Sequence, residues 1–297
     1  MMSANTTPER LLHRIDLKVV RRLDGLRQGD FRTLFYGSGI DFADLRDYQP
    51  DDDVRRIDWN VTARMDTPFV RQYVEERDLT AWLLVDRSAS MTLQTSTRSK
   101  ALAVTEFVTT LARLLTRAGN RVGAVLFNDE IEQTLPPAGG RNQVLRIASE
   151  LLRPVMPSAA GTELGRLLDS ARQSLRRRSL VFVLSDFISS PGWDRSLGAL
   201  AQRHEVVAIR FVDPAERELP SLGLMVLEDA ESGQQLTVDT SDPGFRERYQ
   251  AAVAARQREL RAATARAGVD LHEINTDEDL LGSLVRLSEQ RRRRVAS

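Results

Sequence analysis

Asp86, Ser88 and Ser90 stand at every second position directly after the apolar run Ala81-Trp-Leu-Leu-Val85. An apolar run without polar alternation suits a strand in the middle of a parallel sheet covered on both faces. Ligands of such sheets bind beyond the carboxyl ends of the strands. A loop leaving the strand in extended form turns all three side chains toward one point. Hard oxygens of this kind suit Mg²⁺, which takes about six oxygen ligands, keeps several of them as water and needs few carboxylates. The chemistry indicated is metal binding, although Asp or Ser after a strand also serves as a turn residue or helix N-cap.

Two later stretches add to the pattern. Ser179-Leu-Val-Phe-Val-Leu-Ser-Asp186 repeats the design, an apolar strand ending on a carboxylate, and Pro157-Ser-Ala-Ala-Gly-Thr162 is a turn-rich loop placing Thr162 ahead of a helical stretch, Glu163 to Arg176. In the order Asp-x-Ser-x-Ser, then Thr, then Asp, these residues resemble the metal-ion-dependent adhesion site of von Willebrand factor A-type domains. The resemblance implies Ser88, Ser90 and Thr162 as hydroxyl ligands of Mg²⁺ (or Mn²⁺ or Ca²⁺), with Asp86 and Asp186 acting mostly through waters. Neutral hydroxyls compensate the ion's charge poorly, so an open position favours a carboxylate from a partner. Arg87 lies between two of these positions and, folded back onto Asp86 and Asp186, would compete with a cation; it is expected to point outward.

Composition narrows the class. At 297 residues a sizeable core is available. Lys+Arg and Asp+Glu are both 42, which leaves no overall field to draw nucleic acid or an acidic membrane. Lysine occurs only at Lys18 and Lys100, the remaining cations being arginine. The absence of cysteine excludes disulfides, thiolate metal sites and a cysteine nucleophile. No run approaches the ~18 apolar residues of a membrane span, and the N-terminus lacks a signal-peptide core, so cytoplasmic residence is expected.

The elements that must position these residues alternate. Pro8 to Gln28 reads as an amphipathic helix packing on a neighbouring domain. Pro68 to Val74 reads as an edge strand leading toward the first core strand. Helices are expected over Arg98–Ala118, Asn142–Leu152, Glu163–Arg176 and Trp193–Gln202, and strands over Arg121–Phe127, Ile131–Leu135 and Glu205–Val212. The short link Asn128-Asp-Glu130 makes a hairpin, hence one antiparallel edge strand. Past Pro220 come a hairpin (Leu222–Leu227 and Gln235–Val238), a helix Phe245–Ala267, a strand Val269–Ile274 and a helix Asp277–Gln290. The spacing predicts an α/β fold, a doubly wound, mostly parallel sheet with helices on both faces. Three regions are expected: 1–78, an N-terminal helix and charged segment; 79–213, the core; and 214–297, which completes or extends it.

The segment from Tyr36 to Arg64 is dense in both charges, with Tyr48 and Trp59 as expected anchors. It carries Gly-x-Gly-x-x-Phe (Gly37 to Phe42), Leu-Arg-x-Tyr (Leu45 to Tyr48), Asp-Asp-x-Arg-x-Ile-Asp-Trp (Asp52 to Trp59) and Ala63-Arg64. Read with Leu83 to Met91, this series closely resembles the domain-of-unknown-function 58 (DUF58) family, bacterial proteins with a von Willebrand A-like (Rossmann-like) domain. Asp51 departs from the glycine usual there. The resemblance implies association with MoxR-type AAA+ ATPases. Arg46, Tyr48, Asp52, Asp53, Arg55, Asp58, Trp59 and Arg64 form a candidate interaction segment.

The leading functional expectation is a Mg²⁺-dependent protein–protein interaction module, an adaptor or co-chaperone docking an ATPase or a client that presents a carboxylate. A metal-dependent hydrolase or phosphotransferase would use the same carboxylates. It would also want a base beside the metal, and His13, His204 and His272 fall elsewhere. The chain has no Gly-x-x-x-x-Gly-Lys loop. The third alternative is a scaffold with no bound metal.

Overall fold

The computed structural model describes residues 7–23, 45–49, 52, 54, 57, 59–65, 67–71, 79–92, 98–155, 163–228 and 235–295. The chain divides into two compact units, one of residues 36–78 and a larger one of residues 1–35 and 79–297. The first helix, α1 (Pro8–Leu23), belongs to the larger unit.

In the smaller unit β1 (Leu45–Asp47) is followed by α2 (Trp59–Met65) and β2 (Phe69–Arg71). β1 and β2 pair antiparallel. Of the edge strand expected over Pro68–Val74, residues 72–74 lie outside the described residues, and Phe69–Arg71 forms as the partner of Leu45–Asp47 in a separate two-stranded sheet. A Thr62 hydroxyl accepting from the Phe69 amide at 3.1 Å fixes its start.

The larger unit is built on six strands: β3 (Thr80–Asp86), β4 (Arg121–Phe127), β5 (Ile131–Ala138), β6 (Leu180–Ser185), β7 (Glu205–Val212) and, after the hairpin β8 (Leu224–Glu228) and β9 (Gln235–Asp239), β10 (Asp270–Asn275). The order across the sheet is β10-β7-β6-β3-β4-β5, with β8-β9 forming its own sheet. Every neighbouring pair is parallel except β4 with β5. β5 runs to Ala138, through Pro136 and Pro137, beyond the expected end at Leu135. An edge strand tolerates residues that cannot donate to a ladder.

Helices cover both faces because strand side chains alternate. Leu83 and Val85 of β3 and Leu180, Phe182 and Leu184 of β6 pack beneath α1, α4 (Lys100–Arg117), α5 (Gly140–Leu151) and α9 (Leu280–Val295). Leu84, Val181 and Val183 point to the other face, under α6 (Leu164–Ser174), α7 (Trp193–Ala201) and α8 (Pro243–Arg266). A single turn, α3 (Ala89–Thr92), follows β3. The central strands are thus hydrophobic on both sides, as the unbroken apolar runs require. This is the expected doubly wound, mostly parallel sheet with helices on both faces. Gly123 in β4 lies under the Trp82 ring: a Cβ there would meet ring atoms at 2.8 and 2.9 Å.

Candidate metal site

β3 and β6 are adjacent and in register from Ala81 with Leu180 to Val85 with Leu184. Their carboxyl ends therefore bring Asp86 and the Ser185–Asp186 pair together at the centre of the sheet edge. Asp86, Ser88, Ser90 and Asp186 are all 4% exposed or less. Asp86 is held tightly: the Ser88 amide donates to its Oδ1 at 2.9 Å and the Ser185 hydroxyl donates to its Oδ2 at 2.6 Å. Ser185 in turn accepts from the Phe187 amide at 2.9 Å, and Asp186 Oδ1 accepts from the Ile188 amide at 3.0 Å. Phe187 takes φ 58°, the left-handed region that bulky residues avoid. Its ring rests on Trp193, with centroids 5.3 Å apart, and that packing holds the turn.

The two hydroxyls lie together. Ser88 Oγ and Ser90 Oγ are 3.2 Å apart. An octahedral Mg²⁺ with bonds of about 2.0–2.1 Å needs neighbouring ligand oxygens about 2.9 Å apart, close to this spacing. Burial pushes the Asp86 pKa up to about 6, and the Asp186 carboxylate adds to the effect; the bonds from Ser185 and Ser88 oppose it. A crowded pair of buried carboxylates is a place where positive charge is stabilised. Among the described residues no three His, Cys, Asp or Glu side chains gather as a cation cage. The donor set is two carboxylates and two hydroxyls, which fits a hard ion that keeps several waters. Ser88 and Ser90 would hold it directly, and Asp86 and Asp186 through water.

A cation is already present. Lys100, the first residue of α4 and only 1% exposed, places Nζ 2.9 Å from Asp186 Oδ2 and 2.5 Å from Glu216 Oε1. Burial opposes the ammonium, but the two carboxylates outweigh burial and hold its pKa above the ordinary lysine value. Glu216 sits on the single turn Pro214–Glu216 after β7, capped by Asp213, whose Oδ1 accepts from the Ala215 amide at 3.0 Å. Burial raises the Glu216 carboxyl, with Lys100 working in the opposite direction.

Arg87 points away from the site, pairing with Glu132 at 2.8 Å and donating to the Arg153 carbonyl. Thr162 lies outside the described residues. So do Asp53, Arg55 and Asp58 of the charged segment. Within that segment Arg46 lies in β1, the Tyr48 amide donates to the Pro68 carbonyl at 2.8 Å, and Asp52 Oδ2 accepts from the Gln49 amide at 2.9 Å. Arg64 is exposed. Trp59 is 65% exposed, so the expected anchor is instead a surface aromatic at the start of α2. His13 is exposed on α1, His204 precedes β7 at the opposite end of the sheet, and His272 lies inside β10.

Sequence reasoning missed Lys100, Glu216 and the donor role of Ser185. The sequence held one signal. Lys100 is one of two lysines in a chain otherwise supplied with arginine, and it opens a helix, where the macrodipole disfavours a cation.

The strand order defines a doubly wound α/β domain with one antiparallel edge strand, and two of its central strands run into carboxylates. The chain belongs to the family described as "Protein of unknown function DUF58", which matches residues 44–259. It is 36% identical over 285 residues to the uncharacterized protein Rv1480 of Mycobacterium tuberculosis, covering 95% of this chain and 89% of that protein. The uncharacterized protein Mb1516 of Mycobacterium bovis matches at the same identity and coverage. Among solved structures it is similar to the conserved hypothetical protein BatB from Bacteroides thetaiotaomicron, with TM-score 0.47 and 17% identity over 73% of this chain and 98% of that one. An aerotolerance-related membrane protein from Bacteroides fragilis matches with TM-score 0.44 and 14% identity, over 72% of this chain and 99% of that one. Among the described residues, no helix is long and apolar enough to cross a membrane.

Proposed function

We propose that this chain is a protein–protein interaction module whose strand-end site engages a partner's carboxylate with the help of Mg²⁺. The observation that carries the reading is the Ser88–Ser90 hydroxyl pair, 3.2 Å apart beside two buried carboxylates. A bound ion would supply the positive charge a partner carboxylate seeks. The protein's own contribution is rigidity. Asp86 is held by Ser88 and Ser185, and Asp186 Oδ1 by the Ile188 amide, so both carboxylates are oriented before an ion arrives. On the resemblance to its family, the partner is a MoxR-type AAA+ ATPase or a client it delivers, and the setting is cytoplasmic. The exposed Trp59 in the smaller unit is of the residue type that dominates interface energetics and offers a second contact.

The test is affinity capture from source-cell lysate with Mg²⁺ and with chelator, using wild type and Ser88→Ala. An AAA+ ATPase recovered only by wild type in Mg²⁺ is the expected result. Capture of that ATPase indifferent to chelator and to Ser88→Ala moves the contact to another surface and overturns the reading. One observation favours a metal-free scaffold instead: the ammonium of Lys100 already neutralises Asp186.

A further inference from the structure

Lys100 is placed where helix electrostatics and burial both argue against a lysine. It occupies the first position of α4, after the Ser99 cap, where the helix presents its own partial positive charge. Its side chain is among the largest fully buried ones in the protein. The ammonium is tolerated because two carboxylates share it, Asp186 from the end of β6 and Glu216 from the turn after β7. The ammonium of Lys100 is a compact point charge on a flexible stem, with donors for both carboxylates. The two carboxylates differ in one respect. The Asp186 side chain is 0% exposed, and that of Glu216 is 27% exposed. One lies at the metal-site candidate, the other at its rim.

We infer that Lys100 is the resident cation of this site, a tethered ammonium that neutralises Asp186 until a divalent ion displaces it onto Glu216. The inference rests on the metal-site reading above and adds its regulation. Two cations sharing one buried carboxylate repel strongly, because low local polarity leaves their charges poorly screened. An ion approaching Asp186 therefore has to evict the ammonium. Glu216 is already in contact with it, so eviction is a shift of weight from one partner to the other rather than exposure to solvent. The same shift reaches the neighbouring elements, because the Glu216 carbonyl accepts from the Tyr249 hydroxyl of α8 at 2.8 Å. Lys100 thus sets the concentration at which a divalent ion enters, and Glu216 sets how readily it yields.

The experiment is titration of the full chain with Mn²⁺, followed by calorimetry and by the electron paramagnetic resonance of the free ion. Lys100→Met is expected to bind Mn²⁺ at least about tenfold more tightly than wild type. Arg87→Met removes the same formal charge from a side chain that faces away, and stays within about twofold of wild type. Glu216→Gln, which removes the second partner, weakens Mn²⁺ binding at least about threefold in wild type. In the Lys100→Met background it changes affinity by less than about twofold, because Glu216 acts through Lys100. The Lys100→Met/Glu216→Gln protein leaves one fewer buried charge unpaired, and it carries the affinity test if Lys100→Met alone does not fold.

Wild type and Lys100→Met binding Mn²⁺ equally would overturn the competition and leave the metal-module reading standing. A Glu216→Gln loss of equal size in both backgrounds would overturn the transfer to Glu216. Binding by Lys100→Met, abolished when Ser88→Ala is added, with wild type silent, supports the competition and removes Mg²⁺ dependence from the native module. No binding by any variant overturns both readings.

Discussion

Removing the charge of Asp86 should make the metal-free protein more stable at neutral pH. Asp86 is 1% exposed, and its carboxyl is raised from 3.8 to about 6. At about 1.4 kcal/mol for each tenfold change in acidity, that rise puts roughly 3 kcal/mol against folding once the group is ionised in both states. The sign follows from proton binding. Between about pH 4 and pH 6 the folded state holds a proton that the unfolded state has lost, so Asp86 favours folding increasingly as pH falls through that window and opposes it above. Asp86→Asn removes the charge but keeps only one acceptor for the two donors now served, the Ser88 amide and the Ser185 hydroxyl. That loss costs about 1 kcal/mol. The net expectation is a gain of about 1–2 kcal/mol near pH 7.5 that shrinks to nothing near pH 4.5. Urea unfolding of both proteins in chelator at the two pH values measures it. An Asp86→Asn protein less stable than wild type at neutral pH, or a difference that does not change with pH, would refute the reasoning.

Other substitutions probe the frame. Gly123→Ala forces a methyl into Trp82 ring atoms at 2.8 and 2.9 Å and the Leu135 carbonyl at 3.0 Å, and should cost about 1–3 kcal/mol in thermal or chemical melts. Ser185→Ala strips the donor from Asp86 Oδ2 and the acceptor from the Phe187 amide; about 2 kcal/mol of stability should go, with Asp86 titrating higher by NMR. Asp242→Ala removes a cap that accepts from both Gly244 and Phe245 amides, so α8 should fray and stability fall by about 1 kcal/mol.

The sheet was readable because its physics is local. Leu83-Leu-Val85 and Leu180 to Leu184 are apolar on both faces, which a doubly covered strand requires, and the three-residue link at Asn128 leaves room only for a hairpin. Asp86 and Asp186 were legible for the same reason, each being the residue on which an apolar run stops. Lys100 was not. Its partner Asp186 is 86 positions away, and a lysine opening a helix reads locally as a solvated surface charge. Only the packing of α4 over β6 turns it inward. Trp59 failed in the opposite sense: its size reads as an anchor, yet as the first residue of a short helix it is left exposed. The pairing of Phe69–Arg71 with Leu45–Asp47 was hidden because three-residue strands carry too little alternation to announce a partner.

The proline pair in β5 gives the sheet two unlike borders. Pro136 and Pro137 fall at the bulge between the pairs Val122–Ala138 and Ala124–Leu135, and neither has an N–H to donate, inward or outward. Their carbonyls are engaged as well, Pro136 by the Gln143 amide at 3.0 Å and Pro137 by Arg121 at 2.9 Å. The other border, β10, contains no proline. At that end of β5 an incoming strand meets two residues without N–H donors whose carbonyls are already engaged, whereas β10 has no such interruption, so of the two borders of the six-stranded sheet β5 is the poorer template for strand addition.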